Sequence, residues 1–478
     1  FTGCYSFSSC SFIHRCVIKA FKSDFAGGEL FNRLGYIAKD ADGPKLSENE
    51  KFEIGEQFSF QNQYSESCDK TSLLKQLCAD RYYISPEAFH TRTCTYGPLG
   101  TELKKNMIEQ WTSAVRSRAY VFGITTSVQS RMCEESVRIV NVGALQEIIN
   151  QDSLSKKEAS QMIQTLMKDS VSVRTSLLQG ALQQYIQALE LVNRTLPFGL
   201  AETGLCHHSD SQLRHSSGCS FEVTESSLVW FCSPRTSSQW MDYWAHQRLQ
   251  WWRKFALGPS DFDMCNVVDE ELKEGTSHGV NVLYKFPWGS ETLETLWSLG
   301  DTLLLKTHQG TCTKLQCRDG RKSVVPHVIS VSANVDRGML AYLFNSFQLL
   351  KKTDNKQKLH QRMVLKLHPT LTPVKVALDM GQGSSSELRQ VCEGLFQEFL
   401  EAGISTWPGY LDTMSLSLEN LHTKYDEMGV LFTVMVSEST LKSGLLLVRD
   451  RDTTIRETMH ISEIKCFLLK YLSASENF

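Results

Sequence analysis

The sequence predicts an α+β protein of several domains, and three observations carry that reading. Its 478 residues are 41% hydrophobic, which is enough for roughly three packed cores. Between Ser155 and Val192, apolar residues recur at helical spacing in two successive stretches, predicting a pair of amphipathic helices. From Pro373 an apolar run, a glycine turn and a long helical stripe follow one another, the pattern of a β-α-β unit in a compact C-terminal α/β domain.

Taken in order, Phe1–Phe21 holds Arg15, Lys19, several serines and no acid, a composition that predicts an organelle-import presequence. Residues 1–70 together read as presequence and loosely ordered leader. After Tyr96-Gly-Pro-Leu-Gly100, the side chains of Leu103, Met107, Ile108 and Trp111 share one helix face, and Pro98 and Gly100 punctuate its start. Ser155-Lys-Lys-Glu158 is a capping box that opens a helix striped by Met162, Ile163, Leu166 and Met167. Leu177, Leu178, Leu182, Tyr185, Ile186 and Leu189 stripe the next one. Joined near Ser170–Ser172, the two form a helical hairpin with apolar surface on both stripes. That surface fits the chain's own core or a second copy in a four-helix bundle, and the residues alone do not choose.

Leu228–Phe231 reads as a buried strand. Thr236–Phe255 is a helix carrying Trp240, Tyr243, Trp244, Trp251, Trp252 and Phe255 with Arg248, Arg253 and Lys254 between them. Such a stripe fits a stacking platform for single strands, but arginine stems over indole rings in a core are the commoner arrangement and the one expected here. Pro259–Gly279 is acidic and glycine-bearing, hence a mobile loop. Val324–Val331 is a strand with the helix Met339–Leu350 behind it. Lys351, Lys352, Lys356, Lys358, Arg362 and Lys366 then face only Asp354, a basic linker loop over 351–372 that is either solvated or holds phosphate. The domain 373–478 contains strands at Val374–Asp379, Val430–Val436 and Leu445–Val448 and a closing helix at Ile461–Leu472.

Composition excludes several classes. Net charge is −3, from 50 basic and 53 acidic residues, so no global positive field announces nucleic acid and any such contact is local. Fifteen irregularly spaced cysteines without a CxxC pair predict reduced thiols rather than bridges, and they offer no metal site. Gly381-Gln-Gly383 lacks the lysine of a phosphate-binding loop. No apolar run reaches the ~20 residues of a membrane span. Neither metal nor cofactor is expected.

YGPLGTELKKNMIEQW (Tyr96–Trp111), LPFGLAETG (Leu196–Gly204), VKVALD, YDEMGVLFTVMV and LVRDRDTT together resemble class II aminoacyl-tRNA synthetases of the glycyl type, with interruptions from about Leu73 to Leu472. The resemblance implies an antiparallel-sheet domain (71–120 and 197–350) followed by an anticodon-binding-type domain (373–478). It also exposes two departures. Where that family places Arg-x-Glu on ATP, this chain has His208-Ser209-Asp210, and a largely neutral imidazole lacks arginine's bidentate fork. In the family's glycine-rich last motif, Ala333-Asn-Val-Asp-Arg337 keeps the arginine, but Asn334 and Asp336 replace glycines, crowding the slot and setting a carboxylate against phosphates.

SSLVWF, QWMDYWAHQRLQWWRKFA and FPWGSETLETLW resemble a non-enzymatic branch, the accessory (processivity) subunits of mitochondrial DNA polymerases. That resemblance implies a mitochondrial protein that is not an enzyme. It implies a homodimer formed through a helical insertion, 121–196, with Leu177, Leu178, Leu182, Tyr185, Ile186 and Leu189 at its interface. It further implies docking of the catalytic polymerase subunit on the C-terminal domain, where Gly444, Arg449, Arg451 and Asp452 are the candidates. Duplex DNA would be held without sequence preference by Lys351, Lys352, Lys356, Lys358 and Arg362. The competing expectations are a working glycyl-type synthetase and a binder of tRNA or structured RNA.

Overall fold

The computed structural model describes residues 70–85, 95–117, 120–130, 138–151, 155–207, 222–268, 275–309, 312–353, 359–381, 386–412 and 417–477. The expected presequence and the triplet His208-Ser209-Asp210 lie outside these residues. No helix among them is long and apolar enough to cross a membrane.

A seven-stranded sheet forms the body, in the order Val121–Gly123, Phe198–His207, Glu222–Cys232, His327–Asn334, Gly289–Gly300, His278–Phe286, Phe262–Asn266. Only Val121–Gly123 pairs in parallel, with Val121 opposite Gly199; the other neighbours are antiparallel. Glu222–Cys232 is buried along all but its first residue. That explains its almost unbroken apolar and small-polar sequence, because a central strand covered on both faces has no solvent side to alternate with.

One face carries the helices Pro98–Arg116, Ser237–Lys254 and Val335–Ser346, which share a core with Leu228, Trp230, Ile329 and Val331. Trp244, Trp251 and Trp252 are buried in it, so the aromatic helix is core, as its stripe predicts. Its centre is polar: Glu294, 1% exposed, accepts from Trp111 Nε1 at 3.1 Å, Trp252 Nε1 at 2.6 Å and Arg248 Nε at 2.9 Å. The Arg248 guanidinium stacks 4.5 Å from the Trp251 ring and 5.2 Å from that of Trp111. A desolvated carboxylate is tolerable only with this complement of donors.

The other face corrects the expected hairpin. Leu182, Tyr185 and Leu189 of the helix Leu178–Leu191, with Leu177 just before it, are buried in the chain's own core. The helix residues pack with Phe198, Leu200, Val229 and Phe231, with Leu178 and Ile186 against the same cluster. This helix therefore covers the chain's own sheet through that stripe. A short strand, Val171–Val173, separates it from Lys156–Asp169, which instead neighbours the helix Val142–Ile149. Periodicity located the apolar stripe but not the surface opposite it.

Three smaller expectations also change. Pro259–Gly279 contains the edge strand Phe262–Asn266. The helix expected over Met339–Leu350 spans Val335–Ser346 and gives way to the strand Phe347–Thr353. That strand pairs antiparallel with Leu359–Leu365, Lys351 opposite Gln361 and Lys352 opposite His360, so the described parts of the basic stretch include paired strands where a linker loop was expected. The C-terminal domain is a mixed five-stranded sheet, Thr406–Trp407, Val376–Met380, Phe432–Val436, Leu445–Asp450 and Arg456–His460. Helices Ser386–Glu401 and Ile461–Asn477 pack on it through Leu388, Leu395, Phe399, Ile464 and Leu468.

Glu294→Ala strands the Arg248 cation in the core, and removing one partner of a buried pair costs about 3–5 kcal/mol. The urea midpoint is expected to fall accordingly; a loss below about 1 kcal/mol would show that the cluster is not a structural anchor.

Candidate functional site

Of the site that sequence reasoning singled out, the strand Phe198–His207 leading to His208 lies beside the helix Leu178–Leu191, and along it the residues change from apolar to polar. Leu200 gives way to Glu202 and Gly204 along one strand, and Val229 to Ser227 and Glu225 along its neighbour. A synthetase needs such groups free to meet a nucleotide. Here both carboxylates are engaged within the protein, while the buried Ser227 hydroxyl finds no hydrogen-bond partner among the described residues. Glu202, 7% exposed, accepts from the Thr126 amide at 2.9 Å, Thr126 Oγ1 at 2.7 Å and Arg174 Nη1 at 3.0 Å. Arg174 also donates to the carbonyls of Leu205 at 2.8 Å and Thr126 at 3.0 Å. Gly204 has no side chain because the guanidinium occupies the space a Cβ would need. Glu225 accepts from Ser332 Oγ. Cys206, buried between these acids, has its thiol pushed up by desolvation and by Glu225, so it is inert as a nucleophile.

The retained arginine is engaged as well. Arg337 Nη1 donates to the Thr292 carbonyl at 2.7 Å, and Nε pairs with Glu291 at 3.1 Å. Asn334 does not crowd a slot: it is the N-cap of Val335–Ser346, its side chain accepting from the Arg337 amide at 2.8 Å. Asp336 accepts from Tyr96 at 2.7 Å, Lys104 Nζ at 2.7 Å and the Thr224 amide at 2.6 Å. It ties the helix Pro98–Arg116 to the sheet and is neutralised there rather than facing a ligand. The glycine replacements are thus structural groups, a role that spacing alone did not show.

The C-terminal candidates divide. Arg449, 4% exposed, donates to both Asp426 oxygens, at 2.8 and 3.1 Å. Arg362, from the basic hairpin, joins the same carboxylate, and burial followed by the nearby Arg449 charge lowers its pKa. Arg451, 3% exposed, holds the carbonyls of Gly429 at 2.8 Å and Leu367 at 2.9 Å as well as Asp452 at 2.9 Å. Arg449 and Arg451 are buried struts of the C-terminal domain, and the half-buried Arg362 ties the strand Leu359–Leu365 to it through Asp426. A guanidinium at a strand end finds buried acceptors, which its neighbours in sequence do not reveal. Lys356 and Lys358 lie outside the described residues. Lys351 and Lys352 are placed on their strand by backbone alone.

Gly444 closes the helix Glu438–Ser443 at φ +70°, a left-handed position that glycine adopts without strain. A Cβ there would meet the His460 ring. Leu441 and Leu445 on either side are 41% and 40% exposed.

Comparisons with known proteins agree with this geometry. Residues 374–471 match the anticodon-binding domain family. The fold resembles the crystal structure of prolyl-tRNA synthetase from Cryptosporidium parvum complexed with L-proline and AMP, at TM-score 0.59 and 13% identity, over 84% of this chain and 78% of that one. Glycine–tRNA ligase of Thermus thermophilus is 29% identical over 63% of each chain. DNA polymerase subunit gamma-2 of Mus musculus is 48% identical over 84% of this chain and 91% of its own length. The mitochondrial subunit gamma-2 of Xenopus laevis is 46% identical over 86% and 89%. With that identity along most of both chains, on a synthetase-type fold, the protein belongs to the gamma-2 family, the non-catalytic accessory subunits of mitochondrial DNA polymerase.

Proposed function

We propose that this chain is a mitochondrial tether that binds the catalytic subunit of the DNA polymerase and duplex DNA together, raising the number of nucleotides added per encounter. The similarity to gamma-2 subunits over more than four-fifths of the chain carries this reading. The Glu202–Arg174 pair, and the separate engagement of Asp336 by Lys104 and of Arg337 by Glu291, support it, because charges already paired within the protein have little left to polarise a triphosphate. Processivity then comes from effective concentration, not from new chemistry. The catalytic subunit docks on the C-terminal domain around Gly444, Leu441, Leu445 and Asp452. Lys351, Lys352, Lys356 and Lys358 of the basic hairpin segment neutralise phosphates without reading bases, so binding weakens as salt rises.

The chain acts as a homodimer through the face carried by Val142–Ile149 and Lys156–Asp169. Among the described side chains of the second helix none is buried, although a lone helix of 14 residues is marginal in water. Met162, Ile163 and Met167 are 40–42% exposed, and Val142 and Ile149 are 64% and 68% exposed. A second copy laid on this face buries both stripes in a four-helix arrangement across a two-fold axis.

Primer extension by the catalytic subunit at moderate salt is expected to give longer products when this protein is added. Gly444→Glu is expected to weaken its polymerase affinity at least tenfold, about 1.4 kcal/mol. Unchanged product length with the wild-type protein overturns the tether; wild-type affinity of Gly444→Glu removes only that docking face. Separately, Ile163→Glu/Met167→Glu is expected to sediment as a monomer at concentrations where the parent is a dimer, and a dimeric variant would place the contact elsewhere.

A further inference from the structure

The segments entering and leaving the insertion cross the strand Phe198–His207 at one place. The outgoing segment is held by the Ile124 amide on the Ala201 carbonyl at 2.9 Å and by Thr126 on Glu202. The returning segment is held by Arg174, whose carbonyl accepts from the His207 amide at 2.9 Å and whose amide donates to Val128 at 2.8 Å. The Arg174 side chain bridges the two. It reaches Thr126, Glu202 and Leu205 from one buried guanidinium. Gly204 leaves room for that guanidinium, and Gly180 leaves room for the Thr126 side chain. Beyond this crossing, the described residues at 138–169 include the two helices with the exposed apolar face.

From this geometry we infer that Thr126, Arg174 and Glu202 form a positioning unit that sets the angle of the dimerisation helices on the sheet. The inference rests on the dimer reading given above. At 1.5 Å per residue the 14-residue helix is about 21 Å long, so a tilt of about 10° at its base moves its far end by about 4 Å. Interfaces packed as densely as protein interiors do not absorb such a shift. Arginine suits the task because its planar fork holds several acceptors in fixed directions, which a lysine ammonium does not. Glu202 is the fixed point: it is paired with Ser227 on a central strand, one residue past the end of the pairing with Val121–Gly123, and its desolvated charge keeps the guanidinium in place. A group lining the synthetase-type cleft thereby determines the quaternary arrangement.

The test measures the dimer dissociation constant by sedimentation equilibrium, with each variant shown to be folded by circular dichroism. Arg174→Ala and Glu202→Ala are each expected to raise it at least tenfold, and the double variant no further than the worse single one, since both break one unit. Gly204→Ala, which displaces the guanidinium without removing a charge, is expected to weaken the dimer in the same direction. If Arg174→Ala does not fold, Gly204→Ala decides. Leu468→Ala, in the C-terminal core, lowers stability by a route remote from the insertion and is expected to leave the constant within twofold. Folded Arg174 or Gly204 variants that dimerise like the parent overturn the positioning role while leaving the dimer intact. A monomeric parent overturns the dimer reading and this inference with it.

Discussion

A carboxylate taken out of water must find its donors inside the protein, and much of this fold is arranged around four that do so. Glu294 gathers two indoles and an arginine. Asp336 gathers a phenol, an ammonium and an amide. Glu202 gathers a threonine and an arginine, and Asp426 binds the guanidiniums of Arg449 and Arg362. Each cluster joins elements distant in sequence: helices to sheet, insertion to sheet, hairpin to C-terminal domain. Losing a single partner leaves a charge buried and unpaired, so these joints resist piecemeal change.

The same economy explains how a synthetase-type scaffold serves without chemistry. A catalytic cleft keeps polar groups underused until substrate arrives, a standing cost in stability. Here Glu202, Glu225, Asp336 and Arg337 are engaged internally, and this part of the sheet is a structural junction beside the insertion. The C-terminal sheet keeps the architecture of an anticodon-binding domain, a mixed sheet with helices packed on it.

Much of the architecture was legible because long elements repeat their pattern. The stripes of Leu178–Leu191 and Ser386–Glu401, the aromatic helix and the buried run in Glu222–Cys232 all state their burial in their period. What a stripe faces is not local information. The same spacing that buries Leu182 and Leu189 on the chain's own sheet leaves Met162 and Ile163 exposed. Charged residues were the least legible. Arg174, Glu202, Glu294 and Asp426 carry no sequence signal of burial, and Arg449 and Arg451 sit in a polar run that resembles a turn. The hairpin of Phe347–Thr353 and Leu359–Leu365 was hidden because lysines on its strands mask the alternation that marks a strand.

Glu202, Asp336 and Arg337 are held by partners within the protein, and a chain of the accessory-subunit family does no adenylation. Glycine-dependent exchange of pyrophosphate into ATP measures that directly. Exchange is expected to be no faster with glycine and purified protein than without them, at any magnesium concentration. Glycine-dependent exchange that scales with protein concentration and is lost in Arg337→Ala would contradict it.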